Sequence, residues 1–319
     1  MRKLVLLATY NGAAFLPAQL ESILSQTHGW KLLVRDDGSS DGTKKIVSNR
    51  AADGTPVILM DDGQPRLGAR SNFARLLEKA REMGADYCTL SDQDDVWLPS
   101  KLDEQFKQMK SLERKFPHCP ILIHSDLEVV NQNLKIIHPS FMQYQKIHHE
   151  SSNPLRVLLC QNFVTGSTVM MNRSLLQLAL PVPKEALMHD WWLALCAAAF
   201  GRLEYYGMPL VKYRQHGNNE IGARNILQLL NPLKNNWHHH WSNGFDNLTR
   251  SILQAKALAE RIRERDPENP HLLLVEEYAS LMKLFPMNRI RKMHELEIHM
   301  QSFLRHMLMI SRVLFSRGG

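Results

Sequence analysis

Ser91-Asp92-Gln93-Asp94-Asp95-Val96-Trp97 places three carboxylates within four positions, directly after the apolar run Asp86-Tyr87-Cys88-Thr89-Leu90. Anions packed this densely at a strand end repel one another unless a cation joins them. Hard divalent ions take oxygen ligands, keep several waters and are shared with substrate phosphates. The segment therefore points to a site for a metal-bound diphosphate. A solvated acidic turn capping the next helix, with Pro99 in that helix's first turn, is the competing reading.

Working outward, Leu4-Val5-Leu6-Leu7-Ala8-Thr9-Tyr10-Asn11-Gly12 reads as a buried strand entering a glycine turn, followed by helical spacing at Phe15, Leu16, Leu20, Ile23 and Leu24. A second strand, Lys31 to Val34, ends in Arg35-Asp36-Asp37-Gly38-Ser39-Ser40-Asp41-Gly42-Thr43, where Asp41 or Ser40 is placed to cap a helix. A strand from Pro56 to Met60 and a helix from Ala69 to Met83 complete the approach to the acidic loop. Alternating strands and helices predict a parallel α/β sheet, in which ligands gather outside the carboxyl ends of the strands. Thr9-Tyr10-Asn11, Asp36-Asp37 and Asp92-Asp95 would share that edge.

In these residues the chain resembles the family 2 glycosyltransferases with the GT-A fold. The resemblance rests on Ala8 to Gly12, Asp36 to Thr43, Ser91 to Trp97, Gly166-Ser167-Thr168 and His189-Asp190, in order over about residues 1–217. Within the family, Asp-Gln-Asp-Asp-Val-Trp and Tyr-Arg-Gln-His-Gly-Asn-Asn are most similar to bacterial transferases that build surface polysaccharides such as O-antigen, many of them rhamnosyltransferases. The resemblance implies a Rossmann-like mixed sheet flanked by helices, a dTDP- or UDP-sugar donor, Mn²⁺ or Mg²⁺, and a glycan or lipid-linked saccharide acceptor. It sets Thr9, Tyr10 and Asn11 beside the nucleotide, with Asp37, or Asp36 in its place, accepting from a base N–H. Asp92 then lies near the ribose and Asp94 or Asp95 on the metal. An Asx-turn is the alternative for Asp36 and Asp37. The Gly68 turn opens a helix suited to an anion, with Arg70 and Asn72 as diphosphate or base contacts.

The acceptor side falls to the second half. Asp190 opens the apolar stretch Asp190-Trp191-Trp192-Leu193-Ala194-Leu195. A helix cap explains it; the resemblance instead makes it the general base, with Trp191 supplying apolar surroundings that raise a carboxylate pKa. Gly166 and Ser167 belong to the resembled strand beneath the acceptor cleft. In Tyr213-Arg214-Gln215-His216-Gly217-Asn218-Asn219, Arg214 suits a diphosphate oxygen and a neutral imidazole can complete a metal's coordination; the resemblance makes His216 a contact to metal or diphosphate, and a surface turn with a solvated His is the alternative. The implied chemistry is one in-line displacement that inverts the anomeric centre.

The chain of 319 residues carries net charge +7. Residues 222–319 hold 14 Lys and Arg against 9 Asp and Glu, so the expected division is a nearly balanced catalytic domain, 1–221, and a basic helical appendage, 222–319. Helical spacing runs through Leu248 to Arg265, Leu272 to Phe285 and Arg289 to Phe315. In the last, Met293, Leu296, Met300, Phe303, Leu304, Met307, Ile310 and Leu314 form an apolar stripe, with Arg289, Arg291, Lys292, Arg305, Arg312 and Arg317 available to flank it. Such a helix suits an anionic membrane surface, the catalytic domain or a second subunit, and an oligomer stays open. Trp237-His238-His239-His240-Trp241 reads as surface.

No base-reading motif accompanies the basic tail, which argues against nucleic acid. Cys88, Cys119, Cys160 and Cys196 lack paired metal spacing and read as reduced core residues. With Leu4 to Ala8 too short for a secretory leader and no stretch long enough to cross a bilayer, the expected location is cytoplasmic, with peripheral contact at the inner membrane face. The competing functions are a nucleotidyl- or phosphoryl-transfer enzyme and a non-catalytic nucleotide-sugar-binding scaffold. The first strand is not followed by a Gly-Lys-Ser/Thr phosphate loop, and the acidic residues a scaffold would have lost are present.

Overall fold

Among the described residues nine strands, β1 (Lys3–Thr9), β2 (Trp30–Asp36), β3 (Val57–Met60), β4 (Tyr87–Ser91), β5 (Val96–Trp97), β6 (Ile121–Asn131), β7 (Ile136–His138), β8 (Met170–Asn172) and β9 (Arg202–Gln215), form one sheet. They come from a computed structural model that describes residues 1–26, 29–64, 66–216 and 237–316. The predicted Gly217-Asn218-Asn219 turn and Arg317, and the side chains of the Trp237 to Trp241 run, lie outside the described residues. The order β3-β2-β1-β4-β8-β6-β9-β5, with β7 beside β6, is mixed. Strands β1 to β4 pair parallel, as the strand-helix alternation predicts, whereas β8 runs antiparallel to β4 and β6. Both faces of the parallel part are covered, which is why Leu4 to Leu7 and Leu32 to Val34 are uninterrupted apolar runs.

The helices are α1 (Leu16–Leu24), α2 (Thr43–Ala52), α3 (Ala69–Glu82), α4 (Lys101–Lys115), α5 (Phe141–Gln145), α6 (Pro154–Leu158), α7 (Arg173–Ala179), α8 (His189–Phe200), α9 (Trp237–Arg265), α10 (Leu272–Ala279), α11 (Pro286–Glu295) and α12 (Phe303–Phe315). The N-cap of α2 is Gly42, not Asp41 or Ser40. Asp41 instead accepts from the Thr43 and Ala13 amides, at 2.9 and 3.0 Å, joining the first turn of α2 to the glycine turn after β1. Gly166 to Thr168 is a 3₁₀ turn entering β8, where a strand was expected. Its hydrogen bonds explain the difference: the Thr168 carbonyl accepts from Gln105 of α4 at 2.6 Å and the amide turns back to Thr165.

The chain folds into two compact units that do not follow the linear division at residue 221. The first holds the whole sheet and comprises Met1–Phe141, Val164–Pro181 and Gly201–Ala223; the second comprises Met142–Phe163, Val182–Phe200 and Arg224–Gly319. In the second unit α9 packs on α8: Gln254 accepts from the Leu187 amide at 2.8 Å, Asn269 donates to the Ala199 carbonyl at 3.1 Å, and the Arg261 guanidinium lies 5.5 Å from the Trp192 ring centroid. The stripe predicted as one helix over Arg289 to Phe315 is split between α11 and α12. The backbone between them is held by side chains distant in sequence. Arg156 donates to the Leu296 carbonyl at 2.6 Å, and Gln161 accepts from the Gln301 amide at 2.9 Å. No described helix is long and apolar enough to cross a membrane. All four cysteines are free.

Because α8 is buried against α9, a chain ending at Ile221 would present Trp192 and its apolar neighbours to water. Such a chain is expected to aggregate or to lose its cooperative melting transition. Melting like that of the full chain, followed by circular dichroism, would show that the later helices contribute little to α8.

Candidate active site

In the first unit, the carboxyl ends of β1, β2 and β4 lie side by side, with Thr9 opposite Asp36 and Leu7 opposite Ser91. The Thr9 hydroxyl donates to Asp36 at 2.9 Å, and Asp36 also accepts the Ser39 amide at 2.8 Å, as in an Asx-turn. Asp37 is buried, and its amide continues the ladder to the Thr9 carbonyl. Its carboxylate accepts from Arg35 at 2.8 Å, from the Leu67 amide at 2.9 and 3.0 Å and from the Gly68 amide at 2.7 Å. Both oxygens are thereby committed to holding the loop that opens α3. Asn72 is buried too, its side chain accepting from Arg35 at 3.1 Å. Arg70 is partly exposed at the start of α3.

Arg35, which the sequence did not single out, organises this edge. Its guanidinium is buried and reaches Asp37, Asn72 and Asp62. Burial opposes the Asp62 charge, but hydrogen bonds from Arg35 and Arg75 prevail and bring Asp62 down to about 2. Gln93 was also missed, although a glutamine between two aspartates is itself a signal. It clamps both backbone groups of Tyr10, the amide and the carbonyl, at 2.8 Å each. A side chain at residue 12 would collide with Gln93, since a Cβ there would meet its Oε1 at 2.1 Å; this is why Gly12 follows. Asn11 takes a left-handed conformation, φ 47°, and accepts from the Ser40 amide at 2.8 Å. Arg66 stacks over the Tyr10 ring at 4.2 Å, a planar cation on an aromatic face beside the turn.

The acidic loop leads into β5, which pairs antiparallel with β9 through Val96 and Lys212. That pairing brings Arg214 and His216 onto the carboxylates. The Arg214 amide donates to Asp95 at 3.2 Å and its side chain to the Asp94 carbonyl at 2.8 Å; His216 Nε2 lies 2.9 Å from Asp94 Oδ2. Phe15 stacks on His216 and also underlies the Arg214 guanidinium. Asp92 is fixed through its backbone, its carbonyl accepting from Gln19 at 3.0 Å. Asp95 is fully buried, and its Oδ2 has no hydrogen-bond partner; Ser167 lies beside it without completing one. Burial first, then the charges of Asp94 and Asp92, push the Asp95 carboxyl well above the usual range. Burial likewise pulls Arg214 down against the attraction of Asp95 and Asp94.

This is an arrangement short of positive charge. Carboxylate oxygens and an imidazole suit Mn²⁺ or Mg²⁺, and the unpartnered Asp95 oxygen fits a cation. Among the described residues no three such side chains already converge in coordinating geometry. The missing ligands of a hard divalent ion are ordinarily water and substrate phosphate, so an incomplete protein set is compatible with one.

In the second unit, Asp190 lies in the first turn of α8 and is buried, its carboxylate accepting from the Trp191 amide at 2.7 Å. Trp191 is anchored by its indole N–H, which donates to the Leu158 carbonyl at 2.6 Å. The neighbouring His189 is buried, which brings its imidazole down to about 3.

The sheet order, the flanking helices and three polar loops at one strand edge define the GT-A glycosyltransferase class. Residues 4–177 match glycosyl transferase family 2; the chain belongs to that family and is a glycosyltransferase. Among curated relatives, dTDP-rhamnosyl transferase RfbG of Shigella flexneri is 24% identical over 249 residues, covering 73% of this chain and 80% of that protein. The UDP-Glc:α-D-GlcNAc-diphosphoundecaprenol β-1,3-glucosyltransferase WfgD of Escherichia coli is 27% identical over 147 residues, 45% of this chain and 53% of that one. Among solved structures, residues 1–349 of S. aureus TarS with UDP-GlcNAc align over 98% of this chain and 90% of that one, TM-score 0.53 and 13% identity. The mannosyltransferase PcManGT of Pyrobaculum calidifontis with GDP-Man and Mn²⁺ aligns over 92% and 73%, TM-score 0.54 and 16% identity.

Lys101 offers a pH test of the packing below this edge. It is fully buried, donating to Thr89 at 3.1 Å and Gln105 at 2.9 Å, and burial lowers its pKa from 10.5 to about 7. The folded state therefore disfavours the proton that the unfolded chain keeps up to about 10. The penalty is absent above that range, grows as pH falls, and is complete below about 7. Stability of the parent is expected to rise between pH 7 and about 10 relative to that of Lys101→Met. Parallel pH–stability curves would place the ammonium in a solvated position.

Proposed function

We propose that this glycosyltransferase moves a sugar, with rhamnose the leading candidate, from a dTDP- or UDP-linked donor to a glycan or lipid-linked acceptor in surface polysaccharide synthesis, with inversion. The observation that carries the reading is the buried Asp95, one of its oxygens unpartnered, next to a partly exposed Asp94 and beside Arg214 and His216. The dTDP-rhamnosyl name of the relative matched over most of its length supports the donor, and the diphosphoundecaprenol acceptor in the other relative's name supports a lipid-linked acceptor. The same acceptor chemistry suits a protein working peripherally at the inner face of a membrane.

Asp94, Asp95 and His216 would hold Mn²⁺ or Mg²⁺, which when bound supplies Lewis-acid neutralisation of the departing diphosphate. Tyr10, Asn11 and Thr9 form the nucleotide side of the site, with Asp92 toward the ribose and Arg214 toward the diphosphate. Asp36 and Asp37 hold the nucleotide loops in shape, and Arg70 and Asn72 flank them at the start of α3. On the acceptor side, Gly166 and Ser167 line the approach and Trp191 shapes the surroundings of Asp190. Asp190 takes the proton of the attacking hydroxyl as that oxygen bonds to the anomeric carbon and the diphosphate leaves with the bonding pair. A single displacement of this kind inverts the centre; the double-displacement route would need a carboxylate nucleophile at the anomeric carbon.

Two experiments test the reading. Protection of the chain from heat by dTDP or UDP is expected to require Mn²⁺ or Mg²⁺ and to vanish in chelator or in Asp95→Asn; equal protection with and without metal would remove the metal from donor binding. Asp190→Asn retains a helix-capping side chain, so donor affinity and melting temperature should hold while transfer falls on the order of 10²–10⁴-fold. A transfer rate near that of the parent would reduce Asp190 to a cap.

A further inference from the structure

The apolar stripe read from the sequence does not survive folding as one surface. Met293, Met309 and Val313 are buried in the second unit, whereas Phe285, Met287, Phe303, Met307 and Phe315 are 81%, 70%, 82%, 48% and 68% exposed. At 3.6 residues per turn, positions 303, 307 and 315 fall within about a third of the circumference of α12. Positions 309 and 313 lie on the other side. One element joins this arc to the start of α11. Arg289, read as available to flank the stripe, is buried, and its guanidinium donates to four carbonyls: Leu284 at 2.8 Å, Met282 at 3.1 Å, Val313 at 3.1 Å and Ser316 at 2.8 Å. It caps the carboxyl end of α12 and grips the turn before α11. The sequence neighbours of Phe285 and Phe315, Leu284 and Ser316, thus share one guanidinium, and two protruding aromatics distant in sequence are pinned together.

The charge around this face is net positive. Residues 281–316 hold six Lys and Arg against two Glu; Lys283 is exposed two residues before Phe285, and Arg291, exposed on α11, is ion-paired to Glu295 at 3.0 Å. Protruding aromatic and methionine side chains in a basic field match the interface of an anionic bilayer, where the rings enter the acyl boundary and the cations meet headgroup phosphates. We propose that Phe285, Met287 and Phe315, fixed by Arg289, form a docking surface for anionic membrane lipid. The inference rests on the peripheral-membrane element of the proposed function and names the residues that make the contact.

The test is co-sedimentation of the full chain with vesicles of equal parts phosphatidylcholine and phosphatidylglycerol, and with pure phosphatidylcholine. The parent is expected to pellet with the mixed vesicles at about 0.1 M salt and to be released at about 1 M, where the screening length shrinks from ~10 to ~3 Å. It should leave the neutral vesicles largely unbound. The triple variant Phe285→Ser, Met287→Ser, Phe315→Ser is expected to lose about tenfold or more in partitioning. Its melting temperature and nucleotide-sugar hydrolysis should match the parent, so failure at the vesicles leaves the glycosyltransferase reading intact. If the triple variant does not fold, Phe285→Ser alone makes the same comparison with a several-fold loss, and Phe285→Trp should shift its emission to the blue on mixed vesicles. Equal pelleting of parent and variants, equal binding to neutral vesicles, or a patch whose loss only turns a dimer into a monomer would overturn the proposal.

Discussion

The arrangement of the first unit turns on one carboxylate, Asp95, placed where water cannot shield it, with two partly exposed carboxylates beside it. Asp95 is fully buried with Asp94 and Asp92 close by, and burial first, then repulsion from those charges, raises the Asp95 carboxyl. Removing charge from water costs several kcal/mol per ion unless partners are supplied. The Arg214 amide on Asp95, the Arg214 side chain on the Asp94 carbonyl and His216 on the Asp94 carboxylate come from the end of β9 and the residue after it. They reach the acidic loop because β5, only two residues long, pairs with β9. The shortest strand of the sheet thus sets the electrostatics of the site.

A second requirement is that the turns at the strand ends keep fixed shapes while presenting backbone groups to a ligand. Arg35 and Asp37 do this on one side by joining the end of β2 to the loop before α3, and Gln93 does it on the other by clamping Tyr10. A buried Arg–Asp pair is costly unless every lone pair is used; here the Asp37 oxygens take four hydrogen bonds. Rigid turns of this kind lower the entropy cost of binding, because the ligand meets groups already in position.

Much of the first unit is legible in the sequence because its signals are local. Apolar runs of strand length, the glycines after them, and the helical spacing of α1 and α3 all report interactions within about a dozen residues. The acidic loop was equally plain, since like charges at a strand end are an anomaly in themselves. What escaped were residues whose meaning depends on distant partners. Arg35 looks like an ordinary strand-end arginine until Asp62 and Asn72 arrive, and Lys101 looks like a helix surface lysine until Thr89 and Gln105 enclose it. The break between α11 and α12 has no proline or glycine to announce it. It is made by Arg156 and Gln161, some 140 residues away in the chain.

The sequence by itself determined the parallel strands β1 to β4, the edge at which their polar loops gather, and the residue types able to hold a metal-bound diphosphate. These follow from periodicity and from local charge density, which need no partner. Only the tertiary structure decided which strands run antiparallel, that Arg214 meets Asp95 through its backbone amide and Asp94 through its side chain, and that the C-terminal helices form a unit with α8. It also decided which side of the apolar stripe faces water. Each of these depends on contacts between segments far apart in the chain, and such pairings are set by the fit of whole surfaces, for which a linear pattern carries no local record.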